Sequence, residues 1–117
     1  MDKRCLLDYC LALGAAYEDY PFRDDQGWAL MRHTANQRTF ACVYAHKGRL
    51  CLNLKCEPPL SDFLRRQYAD LTPGYHMNKA HWNTIAIGGD VPEDEIFRLI
   101  GHSYELTKPT KKAGKTT

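Results

Sequence analysis

No apolar stretch in this 117-residue sequence is long enough to cross a bilayer. The longest, Leu11 to Tyr17, contains Gly14 and falls well short of the roughly 20 residues required. No secretory leader is expected either, because Asp2 and Asp8 interrupt the place where its apolar segment would lie. A cytoplasmic location and no membrane partner are therefore expected. The five cysteines are odd in number and form no C-x-x-C, which excludes a simple disulfide framework or a zinc knuckle. Cys5, Cys42 and Cys51 fall in apolar or periodic segments and read as small packing residues. G-x-G-x-x-G, G-x-x-x-x-G-K-[ST] and H-E-x-x-H are all absent, so no nucleotide loop or zinc-hydrolase helix is indicated. His76 and His81 lie five apart, on opposite faces of an extended strand, and suggest no metal pair. No catalytic constellation, cofactor or metal is expected.

What is present is ordinary globular material: 44% hydrophobic residues, 26% charged and 11% aromatic. No repeat or linker divides it. One domain over residues 1–107, followed by a flexible lysine-rich tail over 108–117, is expected. The net charge is +2, but its distribution is uneven. Residues 28–89 carry eight basic and three acidic side chains, between acidic segments at 1–27 and 90–107. A basic centre of this kind is a candidate footprint for a polyanion.

The periodicity predicts a helix over 2–13 with Asp2 as cap and Gly14 as its end. Pro21 excludes a long helix through Tyr17–Phe22, and Asp24, Asp25 and Gly27 mark a turn. Strands are expected at Trp28–Arg32, Thr39–Ala45 and Leu50–Lys55, the last two joined by the His46-Lys-Gly-Arg49 hairpin. With Lys47 and Gly48 at its centre, one face carries Ala41, Val43, Ala45, Leu50, Leu52 and Leu54. The other carries Phe40, Cys42, Tyr44, Cys51, Asn53 and Lys55. Pro58-Pro59 opens a helix with Leu60, Phe63, Leu64, Tyr68 and Leu71 as its buried stripe, stopped by Thr72-Pro-Gly74. Two strands follow, Tyr75–Met77 and Trp82–Ile87. A last helix is capped by Asp90 with Glu93 and buries Ile96, Phe97, Ile100 and Tyr104. Strands clustered between helices argue for an α+β two-layer sandwich with an antiparallel sheet, one face of it partly open.

The densest chemistry lies between Pro73 and Thr84. Tyr75, His76, Asn78, Lys79, His81, Trp82, Asn83 and Thr84 combine ring platforms, amides and a cation within ten residues. Single-strand and groove binders use that mixture, stacking bases on rings and drawing phosphate to cations. Turn and strand chemistry accounts for several of the same residues, notably Asn78 and Asn83. Lys47, Arg49 and Lys55 are the nearby phosphate candidates, with Tyr44 as a further stacking ring.

Leu52-Asn-Leu-Lys-Cys56, Pro73-Gly-Tyr-His-Met-Asn-Lys-Ala-His-Trp-Asn-Thr84, Asp90-Val-Pro92 and Ile100-Gly-His-Ser-Tyr-Glu-Leu106, with Tyr20-Pro-Phe22, resemble the MmcQ/YjbR family of small bacterial proteins. The resemblance covers nearly the whole chain apart from the lysine tail. It implies a secretion-chaperone-like fold of order α-β(3)-α-β(2)-α and DNA binding through a double-wing surface. It brings no established catalytic residues. Two alternatives to DNA stand beside it: a chaperone- or adaptor-like module for a protein partner, and a small-molecule site under Tyr75–Thr84. The last requires a concave pocket with convergent polar groups.

Overall fold

A computed structural model describes residues 1–22 and 27–110. The turn expected at Asp24 and Asp25, and the tail from residue 111 onward, lie outside the described residues. Helix α1 spans Lys3–Ala12, and the Asp2 carboxylate accepts the Cys5 N–H at 2.9 Å as the expected cap. Strands β1 (Ala16–Asp19), β2 (Ala29–His33), β3 (Thr39–His46) and β4 (Arg49–Lys55) follow. Helix α2 is Pro58–Gln67, β5 is Leu71–Pro73, β6 is Trp82–Ala86 and α3 is Glu93–Thr107. The strands form one antiparallel sheet in the order β1-β2-β3-β4-β6-β5. Buried residues of all three helices join a single cluster with one face of that sheet. This is the expected α+β arrangement with one more strand before α2.

The hairpin has the register set by a two-residue turn. His46 pairs with Arg49 and Ala41 with Leu54, while Lys47 and Gly48 both adopt positive φ. Ala41, Val43, Leu52 and Leu54 accordingly enter the helix-side core, and Cys42, Tyr44, Cys51 and Asn53 take the other face. Two positions depart from the alternation. Ala45 is exposed near the hairpin tip. Phe40 belongs to the helix-side core, because the β2–β3 register shifts between Met31 and Arg32 and makes Phe40 the extra residue of a bulge. Ser103 of α3 secures that bulge. Its hydroxyl donates to the Phe40 carbonyl at 2.6 Å and accepts the Lys55 N–H at 2.9 Å.

Several expectations are corrected. Strand β1 was not anticipated, since Ala-Tyr-Glu-Asp is short and acidic; pairing with β2 and the ion pairs Arg4–Glu18 and Arg32–Asp19 hold it. The strand expected at Tyr75–Met77 is instead Leu71–Pro73, at the sheet edge, where a proline needs no ladder partner. Phe63 is 55% exposed rather than buried, and α2 buries Ser61 and Leu64. Cys5 is exposed, while the other four thiols are buried. Asp90 caps no helix. Its carboxylate accepts the N–H groups of Asp70 and Ala69, which hold it below the usual carboxylate range and tie the start of α3 to β5.

His33 lies on the helix face, 2% exposed, with Nε2 at 2.9 Å from the Thr107 hydroxyl. That hydroxyl donates to the Ser103 carbonyl at 2.8 Å, which leaves its oxygen to accept from the imidazole. Burial pushes the His33 pKa below its ordinary value. The unfolded chain takes up this proton near pH 6.5 and the folded chain resists it, so stability is greatest above that pH and declines as pH falls through it. Urea unfolding at pH 7.5 and 5.5 should show that decline, and His33→Gln should flatten it.

Candidate functional site

The sheet face away from the helices carries a second, smaller cluster. Leu30, Cys42, Tyr44 and Cys51 are buried, with Trp28, Tyr75 and Met77 packed on them. Among the described residues no helix covers this cluster. The cover is the segment between β5 and β6, which crosses β4 and brings Tyr75 to Met77 over the strands.

Polar side chains from three strands hold the start of that segment. Asn53 Oδ1 accepts the Tyr44 hydroxyl at 2.7 Å and the Thr84 hydroxyl at 2.6 Å. Asn53 Nδ2 then donates to the Tyr75 carbonyl at 3.0 Å, and the Thr84 oxygen accepts the Tyr75 N–H at 2.8 Å. Both backbone groups of Tyr75 are thereby captured by buried partners. The far end is gripped from the helix side. Arg65 of α2 donates to Asn83 Oδ1 at 2.8 Å and to the Lys79 carbonyl at 2.6 Å, while Asn83 Nδ2 donates to Ser61 at 3.0 Å. Lys79 Nζ closes the segment on the Gly74 carbonyl at 2.9 Å. Asn78 accepts the Ala80 N–H at 2.9 Å, as a turn residue does. His76 is held at φ 62°, a left-handed conformation uncommon for a side chain other than glycine.

The rings on this face form a connected array. Trp28 lies flat on Tyr44, with centroids 3.8 Å apart and planes 4° from parallel. Phe22 stands perpendicular to Trp28 at 6.1 Å, and His76 is tilted against it at 6.0 Å. Tyr75 bridges His46 at 4.2 Å and His76 at 4.0 Å. Between them opens a cavity of about 420 Å³ lined by Phe22, Trp28, Leu30, Thr39, Cys42, His76 and Met77. Burial pushes the Cys42 thiol up to about 12, and burial likewise raises the Tyr44 hydroxyl to about 12.

The sequence model of the YjbR family matches residues 11–106. The chain belongs to the YjbR family. It is 38% identical over 100 residues to the uncharacterised protein YyaQ of Bacillus subtilis, spanning 77% of this chain and 84% of that one. It is 33% identical over 100 residues to the uncharacterised YjbR of Escherichia coli K12, spanning 86% and 81%. A crystal structure of a Pseudomonas syringae protein superposes with a TM-score of 0.83 at 28% identity, covering 92% of this chain and all of that one. Deinococcus radiodurans DR2400, of the DUF419 domain family, gives 0.80 at 32% identity, covering 92% and 80%.

In this YjbR-family chain the Pro73–Thr84 residues divide by task. Asn83 and Thr84, expected as ligand contacts, are 3% and 8% exposed and are committed to internal hydrogen bonds. Tyr44 is 1% exposed beneath Trp28, so it supports a stack rather than offering a face. His76, Asn78, Lys79 and His81 are exposed, and Tyr75 and Trp82 are half-buried. The basic candidates do not gather in one place. Lys47 is at the hairpin tip, and Arg49 beside it pairs with Asp70 at 3.3 Å. Lys55 is at the other end of β4, about 20 Å away at strand spacing, opposite Trp82. Sequence reasoning missed the cavity walls Phe22, Trp28, Leu30, Thr39 and Met77. The usable signal was the alternation placing Trp28 and Leu30 on the same face as Cys42 and Tyr44.

Gly74 is the tightest point of the segment. A Cβ there would meet Trp82 Cβ at 2.8 Å and its carbonyl oxygen at 2.9 Å. Gly74→Ala should cost about 1–3 kcal/mol in urea unfolding and raise Trp28 solvent exposure. An alanine variant as stable as the parent, with unchanged tryptophan emission, would contradict this packing.

Proposed function

We propose that the chain acts by binding rather than by catalysis, and that its ligand is DNA held against the helix-free face. The observation that carries this reading is the pairing of Lys55 with Trp82 on adjacent strands. Trp82 is half-buried, and the Lys55 paired with it in register makes no ion pair among the described residues. Exposed His81 and Lys79 come from the same short segment, and Lys79 is likewise free of an acid partner among the described residues. A ring with a lysine opposite it on the neighbouring strand and another three residues earlier suits a base stacked on Trp82 with its phosphates on Lys55 and Lys79, a single-strand mode. Lys47 adds charge at the hairpin tip, whereas Arg49 is largely neutralised by Asp70. Burial pushes the Cys10 and Cys42 thiols up to about 12, which keeps these two protonated and makes them poor nucleophiles at neutral pH.

Fluorescence anisotropy with short labelled single-stranded and duplex DNA, at low and physiological salt, tests this. Saturable binding should survive deletion of residues 111–117. Lys55→Gln and Lys79→Gln should each reduce the log–log salt slope by about one. Trp82→Leu should weaken single-strand binding roughly tenfold. Binding that disappears with the tail, or a slope unmoved by both lysine variants, overturns the reading.

A further inference from the structure

We infer that the Trp28 cavity is a second binding site, which receives an uncharged planar ring. The inference stands on the cavity's construction and is independent of the Lys55–Trp82 surface. One face of Trp28 is covered by Tyr44 in near-parallel contact, so its other face is the one left for a guest. Phe22, perpendicular to Trp28 and 50% exposed, and His76, tilted against it, line the same cavity. Rings set at such angles accept another ring by face and edge contacts together.

The lining sets the ligand's chemistry. No Lys, Arg, Asp or Glu lines the cavity among the described residues, and its walls are mostly carbon and sulfur. A charged guest would lose its hydration against those walls. The lining residues carry polar groups in the Thr39 hydroxyl, the His76 imidazole and the Trp28 indole N–H, and none of these has a hydrogen-bond partner among the described residues. They provide the few polar contacts that orient a guest in an otherwise apolar pocket. About 420 Å³ suits a compound of two fused rings with small substituents.

Two further observations separate this cavity from incidental surface. Among the described residues the helix-side core holds eighteen buried residues and closes without the second cluster, so Phe22 and Trp28 are not needed to complete it. His76 is held at positive φ by a segment pinned at Tyr75 on both backbone groups. Strain maintained in this way beside a cavity is characteristic of a functional position. A wall held by buried hydrogen bonds is also preorganised, and little ordering is left for the ligand to impose.

The ring can come from a free small molecule or from an unstacked base of a single strand. Titrating the full, isotope-labelled chain with indole, with 2-naphthol and with a short homodeoxyadenosine strand distinguishes them. Saturable amide shifts are expected at Thr39, His76 and Met77. Phe22→Ala and His76→Gly should each weaken binding roughly fivefold while keeping the melting temperature. Phe22 is half exposed, and glycine accepts the φ of 62° more readily than histidine does. Shifts with the bicyclic compounds alone identify a free ligand, and the same shifts with the strand identify a base; both support the site. Absence of shifts at these amides with every probe, or unaltered affinity in both variants, overturns it.

Discussion

The helix-free face of this molecule depends on a hydrogen bond 2.6 Å long between the Thr84 hydroxyl and the Asn53 amide oxygen. Both side chains are buried, on neighbouring strands that pair residue for residue at this point. The Asn53 oxygen also accepts from Tyr44, which sets the ring on which Trp28 lies. The remaining capacity of the pair is directed at one residue, capturing the N–H and the carbonyl of Tyr75. A buried network of this kind is costly when partly satisfied, so its members hold one another in a single arrangement. From it follow the path of the covering segment, the strained backbone of His76 and the walls of the cavity.

The two faces of the sheet do different work. On the helix side, apolar burial dominates, and the polar groups present join elements: Ser103 links α3 to the Phe40 bulge and to β4, and His33 meets Thr107 at the end of the same helix. The bulge turns Phe40 into that core and so leaves Thr39 on the opposite face, where it lines the cavity. On the helix-free side, rings and a few hydrogen bonds replace the helices. The most conspicuous segment of the sequence, Pro73–Thr84, spends Gly74, Asn83 and Thr84 on its own architecture. That leaves the side chains of His76, Met77, Lys79, His81 and Trp82 nearer the surface.

Much of the frame is legible locally. The β3–β4 register follows from Lys47-Gly48, and Leu6, Leu7 and Cys10 of α1 with Ile96 and Ile100 of α3 follow from helical spacing, whereas Phe97 and Tyr104 are only partly buried and α3 also buries Leu99, Ser103 and Thr107. The misreadings share a physical origin in long-range partners. Ala16–Asp19 is a strand because β2 and two arginines hold it, and its own composition favours no strand. Asp90 resembles a cap until its partners are seen to be Ala69 and Asp70, about twenty residues earlier. Asn83 and Thr84 carry the same functional groups whether they bind a ligand or a neighbouring strand, and only burial separates the two roles. Alternation reaches only the Trp28 and Leu30 part of the cavity wall, because Phe22, Cys42 and Met77 are distant in sequence and meet only after the covering segment has folded across the sheet.

The most direct test of this account is amide hydrogen exchange at Tyr75, compared between the parent chain and Thr84→Val. Valine keeps the volume and removes the acceptor of the Tyr75 N–H together with the bond to Asn53. The account predicts at least about tenfold faster exchange at Tyr75, with Trp28 emission shifted to the red and protection in α1 and α3 retained. Unchanged protection at Tyr75 in a folded Thr84→Val protein would show that the segment is held by something other than this network, and would contradict the account.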